Sequence, residues 1–197
     1  RARGERPAIV RMKKHYERAA EQARDAHSAD LFYALTNIIV AHLALGERVS
    51  KELIAEARES LIAKEASGAD FWSMADHVNV NLYEAMATGQ LKKRRPRITA
   101  GYGDLEKRVG AGSKWGSVYT TAAFVLTRYA KQRAATKKRA AAAEAKAAND
   151  IIGFLKNNAD PRYRATVLLG GISDWRDNPT WGPVFAQGDV VGPWAGR

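Results

Sequence analysis

The chain has 197 residues, 46% of them apolar, and a net charge of +11, which fits one folded domain with a sizeable core. It contains no cysteine, which excludes disulfides and thiolate metal sites and fits a cytoplasmic or other reducing compartment. No stretch approaches the roughly 18 consecutive apolar residues of a membrane span. The start, "RARGERPAIVRMKK", lacks both the apolar core of a signal peptide and an initiator Met, so a piece of a longer protein is one alternative.

Charge is distributed unevenly along the chain. Residues 30–91 contain 4 basic and 9 acidic side chains, whereas residues 92–146 contain 15 basic and 3 acidic ones. This asymmetry predicts an acidic partner, or a large assembly in which the two blocks meet different neighbours.

Apolar residues at helical spacing predict an all-α fold of about six helices in antiparallel hairpins. Pro7 suits the first turn of the first helix, and Ser50 is suited to cap the third. Gly46 and Gly89 are suited to end the second and fourth helices. The first, second and fourth helices are expected at 7–27, 30–45 and about 70–88, and the third is expected between Ser50 and the "SGAD" stretch (67–70) that ends it.

The chain after residue 89 is expected to be less regular. Pro96, Gly101 and Gly103 predict a break, followed by a short helix over 104–109. Ser113 is expected to cap an apolar helix over 114–129. Because alanine has high helix propensity, residues 130–148 are predicted to extend that helix. An apolar docking patch is expected after it, at Ile151, Ile152, Phe154 and Leu155.

Two domains follow from this pattern: a helical domain over 1–157 and an irregular C-terminal arm over 158–197. Four prolines forbid long helices in the arm. Its aromatic side chains bury large areas with few rotatable bonds, so the arm is predicted to dock on a partner or to strap the helical body. The candidate partner-binding residues are Trp175, Trp181, Phe185 and Trp194.

Two stretches echo each other: "DLFYALTNIIVAHLALG" (30–46) and "DFWSMADHVNVNLYEAMATG" (70–89). Phe32, Trp72 and Trp115 mark the starts of three apolar helices, at spacings of 40 and 43 residues. This rhythm is typical of helical hairpins stacked in a solenoid, and an ordinary antiparallel bundle is the alternative.

The second stretch, followed by "KWGSVYTTAAFVLTRY", resembles the tetratricopeptide-like (TPR-like) helical repeats, over about residues 30–130. More narrowly, it resembles the degenerate repeats attached to bacterial signalling and protease modules. In either architecture the 70–89 stretch is expected to be the middle of a stacked core, with functional chemistry beginning just beyond Gly89.

The strongest charge cluster is "LKKRRPR" (91–97), predicted as a turn between helices. Such a cluster suits phosphate contacts, although neutralisation by the acidic block is the alternative interpretation. Tyr102, Trp115 and Tyr129 offer stacking surfaces, and a core position is favoured for Trp115. The candidate polyanion-binding residues are Lys92, Lys93, Arg94, Arg95, Arg97, Lys137, Lys138 and Arg139.

Catalytic and metal-binding motifs are missing. The sequence has no G-x-S-x-G elbow and no H-E-x-x-H, and "GAGSKWGS" departs from phosphate-loop spacing. His77, beside Asp76 on an apolar helix, is expected to be a partly buried histidine with satisfied hydrogen bonds. We therefore expect no catalytic residue, no metal, no cofactor and no enzyme activity.

The leading hypothesis is a non-enzymatic protein-interaction or scaffold module, a subunit of a larger assembly, with a homo-oligomer also open. The alternative is a nucleic-acid-binding subunit of a ribonucleoprotein or virus particle, which would grip the phosphates of RNA or DNA.

Overall fold

Helices make up the architecture of the part of the chain that the structure describes. The structure is a computed structural model, and it describes residues 2–108, 112–136 and 138–158. These ranges contain no strand, which confirms the predicted all-α class. They contain seven helices: α1 (Ala2–Asp25), α2 (Leu31–Leu45), α3 (Lys51–Gly68), α4 (Phe71–Ala87), α5 (Leu91–Arg108), α6 (Gly112–Ala134) and α7 (Arg139–Asn158).

Local capping chemistry sets the ends of α2, α3 and α4. Ser50 Oγ accepts a hydrogen bond from the Leu53 amide at 3.1 Å, which confirms the predicted N-cap of α3. Asp70 and Ser73 form a capping box, in which each side chain accepts from the backbone amide of the other. Gly46 follows α2 with a φ of 73°, a left-handed conformation that glycine adopts without a Cβ clash.

The first helix begins earlier than predicted. α1 starts at Ala2, so Pro7 lies inside the helix and not in its first turn. The apolar face of α1 packs on α2, with Ile9 and Ala20 buried. This packing explains why the helix is kept on both sides of a proline, because tertiary burial outweighs one missing hydrogen bond.

The basic stretch 91–97 is helical, and the prediction of a turn there is wrong. It forms the first turns of α5, which continues through Pro96, Gly101 and Gly103. Tertiary burial explains this continuity, because one face of the helix packs into the core. The buried residues of α5 are Leu91, Ile98, Tyr102 and Leu105.

Gly101 serves close packing between helices. A Cβ atom at Gly101 would lie only 3.3 Å from Val78 Cγ1 of α4. The missing side chain therefore lets α5 approach α4 more closely than an alanine would. Gly101, one of the residues that predicted a chain break, thus serves a contact between two helices.

The alanine-rich segment forms a helical hairpin, and the prediction of one long helix over 114–148 is wrong. α6 ends at Ala134, α7 begins at Arg139, and the two helices pack against each other. The start of α6 meets the end of α7, where Trp115 Nε1 donates to the Leu155 carbonyl at 3.3 Å. Small side chains allow this close approach, and four alanines of α7 are buried: Ala141, Ala145, Ala147 and Ala148.

The helices close around one main core. α2 packs against α1, α3, α4 and α6, while α7 packs against α5 and α6, and α5 packs against α4. α4 also contacts α6. The three helices that begin near Phe32, Trp72 and Trp115 are therefore in mutual contact. Ile151 and Leu155 of the predicted docking patch are fully buried. Among the described helices, none combines the length and apolar character needed to cross a bilayer.

Candidate binding cleft

A cleft of about 490 Å³ lies among α2, α4 and α6. Buried side chains of α4, including Ala75, Asn79 and Tyr83, line its interior. Two aromatic side chains of the lining are open to solvent: Tyr33 is 46% exposed and Trp72 is 42% exposed. Large aromatic residues that remain exposed beside a cavity are typical of a surface that receives a ligand or a partner.

A chain of hydrogen bonds runs from the lining of the cleft into the core and joins three helices. Thr36 Oγ1 of α2 lies 3.1 Å from Asp76 Oδ2 of α4, and Asn79 Nδ2 donates to Asp76 Oδ1 at 2.9 Å. Asn79 Oδ1 in turn accepts from the Tyr102 hydroxyl of α5 at 2.7 Å. Each polar group in this chain has a partner, as buried polar groups require.

Asp76 is placed to hold a proton at mildly acidic pH and to be ionised at neutral pH. Removal from water raises the pKa of this carboxyl to about 6, against the opposing effect of hydrogen bonds from Asn79 and Thr36. The negative charge of Asp70 raises the pKa of Asp76 further. The Thr36 hydroxyl has one hydrogen but two acceptors at 3.1 Å, Asp76 Oδ2 and the Tyr33 carbonyl. A proton on Asp76 Oδ2 would satisfy both contacts, because Asp76 would donate to Thr36 and Thr36 to Tyr33.

The two helix starts at the mouth of the cleft share one ammonium group. Lys64 Nζ of α3 lies 3.0 Å from Asp30 Oδ1 and 3.5 Å from Asp70 Oδ2. The same offset of 40 residues separates Asp30 from Asp70 and Thr36 from Asp76. α2 and α4 therefore run side by side in the same direction, with their first turns at the cleft.

The predicted polyanion-binding residues of α5 fall into two groups. Arg94 pairs with Glu84 at 2.9 Å, and Arg95 pairs with Asp150 of α7, so the acidic side chains of the fold neutralise these two. Lys92, Lys93 and Arg97 are exposed and have no ion pair within the described ranges.

The second predicted basic segment lies at the same end of the molecule. Glu144 of α7 accepts hydrogen bonds from the Leu91 and Lys92 amides, both at 2.9 Å, which fixes the start of α5 against α7. Lys138 and Arg139 stand at the start of α7, about 8 Å along the helix from Glu144. Lys137, and the arm residues Trp175, Trp181, Phe185 and Trp194, lie outside the described residues.

The remaining candidates have structural roles. Trp115, Tyr102 and Tyr129 are buried, which confirms the core position favoured for Trp115. His77 Nε2 lies 3.0 Å from Glu65 Oε1, but the contact lacks hydrogen-bond geometry, so the prediction of satisfied hydrogen bonds is wrong at this atom. Searched over its described part, the chain has no group of three or more side chains arranged to hold a metal ion.

The cleft residues Thr36, Trp72, Asp76 and Asn79 were not predicted as a site. The apolar spacing of the 70–89 stretch indicates a core helix, and most of that helix is indeed core. The sequence feature that could have identified them is the 40-residue offset, which pairs Thr36 with Asp76 if the two similar helices lie parallel.

Comparison with protein families, with curated proteins and with solved structures found no match to this chain.

Proposed function

We propose that this protein is a non-enzymatic protein-interaction module, a subunit of a larger assembly, and that the cleft among α2, α4 and α6 receives a polypeptide segment of its partner. The observation that carries the proposal is the pair of exposed aromatic residues, Tyr33 and Trp72, beside a cavity of about 490 Å³. Tryptophan and tyrosine dominate the binding energy of many interfaces, because they bury large areas with few rotatable bonds.

The surroundings of Trp72 favour a preformed binding surface. Its ring makes an edge-to-face contact with the buried Phe71, with centroids 5.0 Å apart, and the capping box of Asp70 and Ser73 fixes the backbone just before it. A side chain held in this way loses little conformational entropy on binding. The cleft therefore offers a partner an ordered binding surface, formed by α2 and α4.

Retention of proteins from a lysate of the source cells tests this proposal. The immobilised chain is compared with its Trp72→Ala and Tyr33→Ala variants, and with Ile62→Ala as the matched control. Ile62 is 61% exposed on α3 and does not line the cleft. We expect wild type and Ile62→Ala to retain the same proteins. We expect the two cleft variants to lose them. Equal retention by all four chains would contradict the proposal.

A second candidate function is phosphate binding at the basic end formed by the starts of α5 and α7. It is favoured by Lys92, Lys93 and Arg97, which are exposed and lack ion pairs within the described ranges, and by the nearby Lys138 and Arg139. The helical register places Lys93 and Arg97 one turn apart on α5, so both can follow one phosphate backbone.

A salt titration of binding to single-stranded RNA tests this second candidate. The triple variant Lys92→Gln, Lys93→Gln and Arg97→Gln is compared with the triple variant Arg11→Gln, Lys14→Gln and Arg18→Gln. The control removes the same charge from exposed positions of α1. We expect the α5 variant alone to flatten the dependence of log affinity on log salt, by about 0.7 per lost phosphate contact. Equal effects of both triple variants would indicate that RNA affinity depends on the net charge of the protein and not on a site at the start of α5.

A further inference from the structure

The side chains that line the cleft are negatively charged overall, and the cation that pairs with some of them lies outside the lining. Among the described residues that line it there are three aspartates, Asp30, Asp70 and Asp76, and no lysine, arginine or histidine. At the mouth, the single positive charge of Lys64 is shared by Asp30 and Asp70, because its ammonium group contacts both.

Asp76 differs from the other two aspartates. Its oxygens contact only neutral donors, Thr36 and Asn79, within the described part of the chain. A carboxylate has about four acceptor positions, and these two contacts use one on each oxygen. In its ionised form Asp76 therefore keeps free acceptor positions, it lines the cleft, and its hydrogen bonds supply no counter-charge.

The mouth of the cleft adds aromatic surface to this charge. Tyr33 and Trp72 are the exposed aromatic residues of the lining, and a cation over such a ring is stabilised by the negative face of the π system. A guanidinium group suits the combination better than an ammonium group does, because it is planar, stacks on aromatic rings and donates two parallel hydrogen bonds to a carboxylate.

We propose that the cleft binds an arginine side chain of the partner polypeptide, with its guanidinium donating to Asp76 and its stem passing between Tyr33 and Trp72. This inference rests on the proposed function, because it names the side chain that the interaction module recognises. The cavity of about 490 Å³ is large enough for one such side chain and the adjoining backbone.

The test is a ¹H–¹⁵N NMR titration with a blocked Gly-Arg-Gly peptide, with its citrulline analogue as the neutral isostere. The arginine peptide should shift the Trp72 indole signal and the Thr36 and Asn79 signals at millimolar concentration. We expect the citrulline peptide to bind about tenfold more weakly, because it loses the charge-assisted hydrogen bonds. Lysine in place of arginine should bind with intermediate strength.

Two variants make the outcome specific. Asp76→Asn keeps the size of the side chain and should lower the affinity for the arginine peptide about tenfold, while leaving the citrulline peptide unchanged. Asp104→Asn removes an exposed carboxylate of α5 and is the matched control. Equal affinities for the two peptides, an unchanged arginine preference in Asp76→Asn, no shifts at all, or shifts confined to other acidic surfaces would each overturn the inference.

The two proposals fail in different ways. If Trp72→Ala loses protein partners but the chain does not prefer the arginine peptide, the interaction module stands and the arginine specificity is wrong. If Trp72→Ala retains partners as wild type does, the proposed function of the cleft itself is wrong.

Discussion

Thr36 and Asp76 are hydrogen-bonded to each other at 3.1 Å, and they occupy matching positions of two helices whose sequences echo each other at an offset of 40 residues. The same offset relates Asp30 and Asp70, which share Lys64. The sequence echo therefore corresponds to two parallel helices in register. Its consequence is a cleft beside the two helices, because each helix contributes the equivalent face to it.

The raised pKa of Asp76 predicts that the contribution of this residue to stability falls as the pH rises through a defined window. Its pKa in the folded state is about 6 and the ordinary value is 3.8, so between these values the folded state binds more protons than the unfolded state. The stabilising proton is fully present below about pH 4 and is lost above about pH 6. The groups facing Asp76 are the Asp70 carboxylate and the Tyr83 and Tyr102 hydroxyls, and burial raises the pKa of both tyrosines.

Asp76→Asn removes this dependence, because the amide reproduces the hydrogen bonds of the protonated acid. Urea unfolding at about pH 4 and pH 7 should show the variant gaining about 2–3 kcal/mol relative to wild type at the higher pH. Asp104→Asn, on the exposed face of α5, controls for the change in net charge. A constant difference between Asp76→Asn and wild type across this range would contradict the assignment of the proton to Asp76.

Trp72 should contribute little to folding despite its size, because 42% of it is exposed. Its neighbour Phe71 is 8% exposed and belongs to the main core. Phe71→Ala should cost about 3–5 kcal/mol of unfolding free energy, whereas Trp72→Ala should cost less than about 1.5 kcal/mol. Chemical denaturation measures both values. A comparable loss for the two variants would indicate that Trp72 is a core residue and not a surface held for binding.

The sequence predicts the first half of the fold well, because local chemistry decides it. Ser50 and Gly46 act through contacts within a few residues, and such contacts are visible in the sequence. The apolar periodicity of α2 to α4 also reports directly on one buried face. The class of fold and the ends of these helices were therefore predictable.

The second half depends on contacts between distant residues. Pro96, Gly101 and Gly103 are helix breakers by local preference, yet α5 continues through them because its buried face packs on α4 and α7. The turn between α6 and α7 lacks glycine and proline, and hairpin packing determines where it falls. The cleft was missed for a similar reason: Asp76 is hydrogen-bonded to Thr36 of α2, which is 40 residues away in the sequence.

Glu144 shows how a distant residue stabilises α5. Glu144 is only 8% exposed. Its carboxylate accepts hydrogen bonds from the Leu91 and Lys92 amides and from the Tyr129 hydroxyl, at 2.8–2.9 Å. Glu144→Ala leaves three donors without a partner and removes the charge that favours the helix N-terminus, which should cost about 2–4 kcal/mol. Glu144→Gln, which keeps one acceptor, should cost less.

The matched control for Glu144→Ala is Glu106→Ala, which removes an exposed acidic residue from α5. Its effect on the free energy of unfolding should stay within about 0.5 kcal/mol. Amide hydrogen exchange gives a second readout, since loss of the cap should speed exchange at Leu91 and Lys92 before it affects the rest of α5. Uniform exchange across α5 in Glu144→Ala would contradict a capping role.

Alanine substitutions at Gly101 and Gly153 distinguish the effect of close helix packing from that of helix propensity. Both lie inside helices, where alanine is favoured over glycine by about 1 kcal/mol. A Cβ at Gly153 would meet no atom within 4 Å, whereas one at Gly101 would lie 3.3 Å from Val78 Cγ1. Thermal or urea unfolding should therefore show that Gly153→Ala stabilises the protein by about 0.5–1 kcal/mol and that Gly101→Ala does not. Val78→Ala should restore the gain at Gly101, and equal gains at both glycines in the wild-type background would contradict the close approach of α5 to α4.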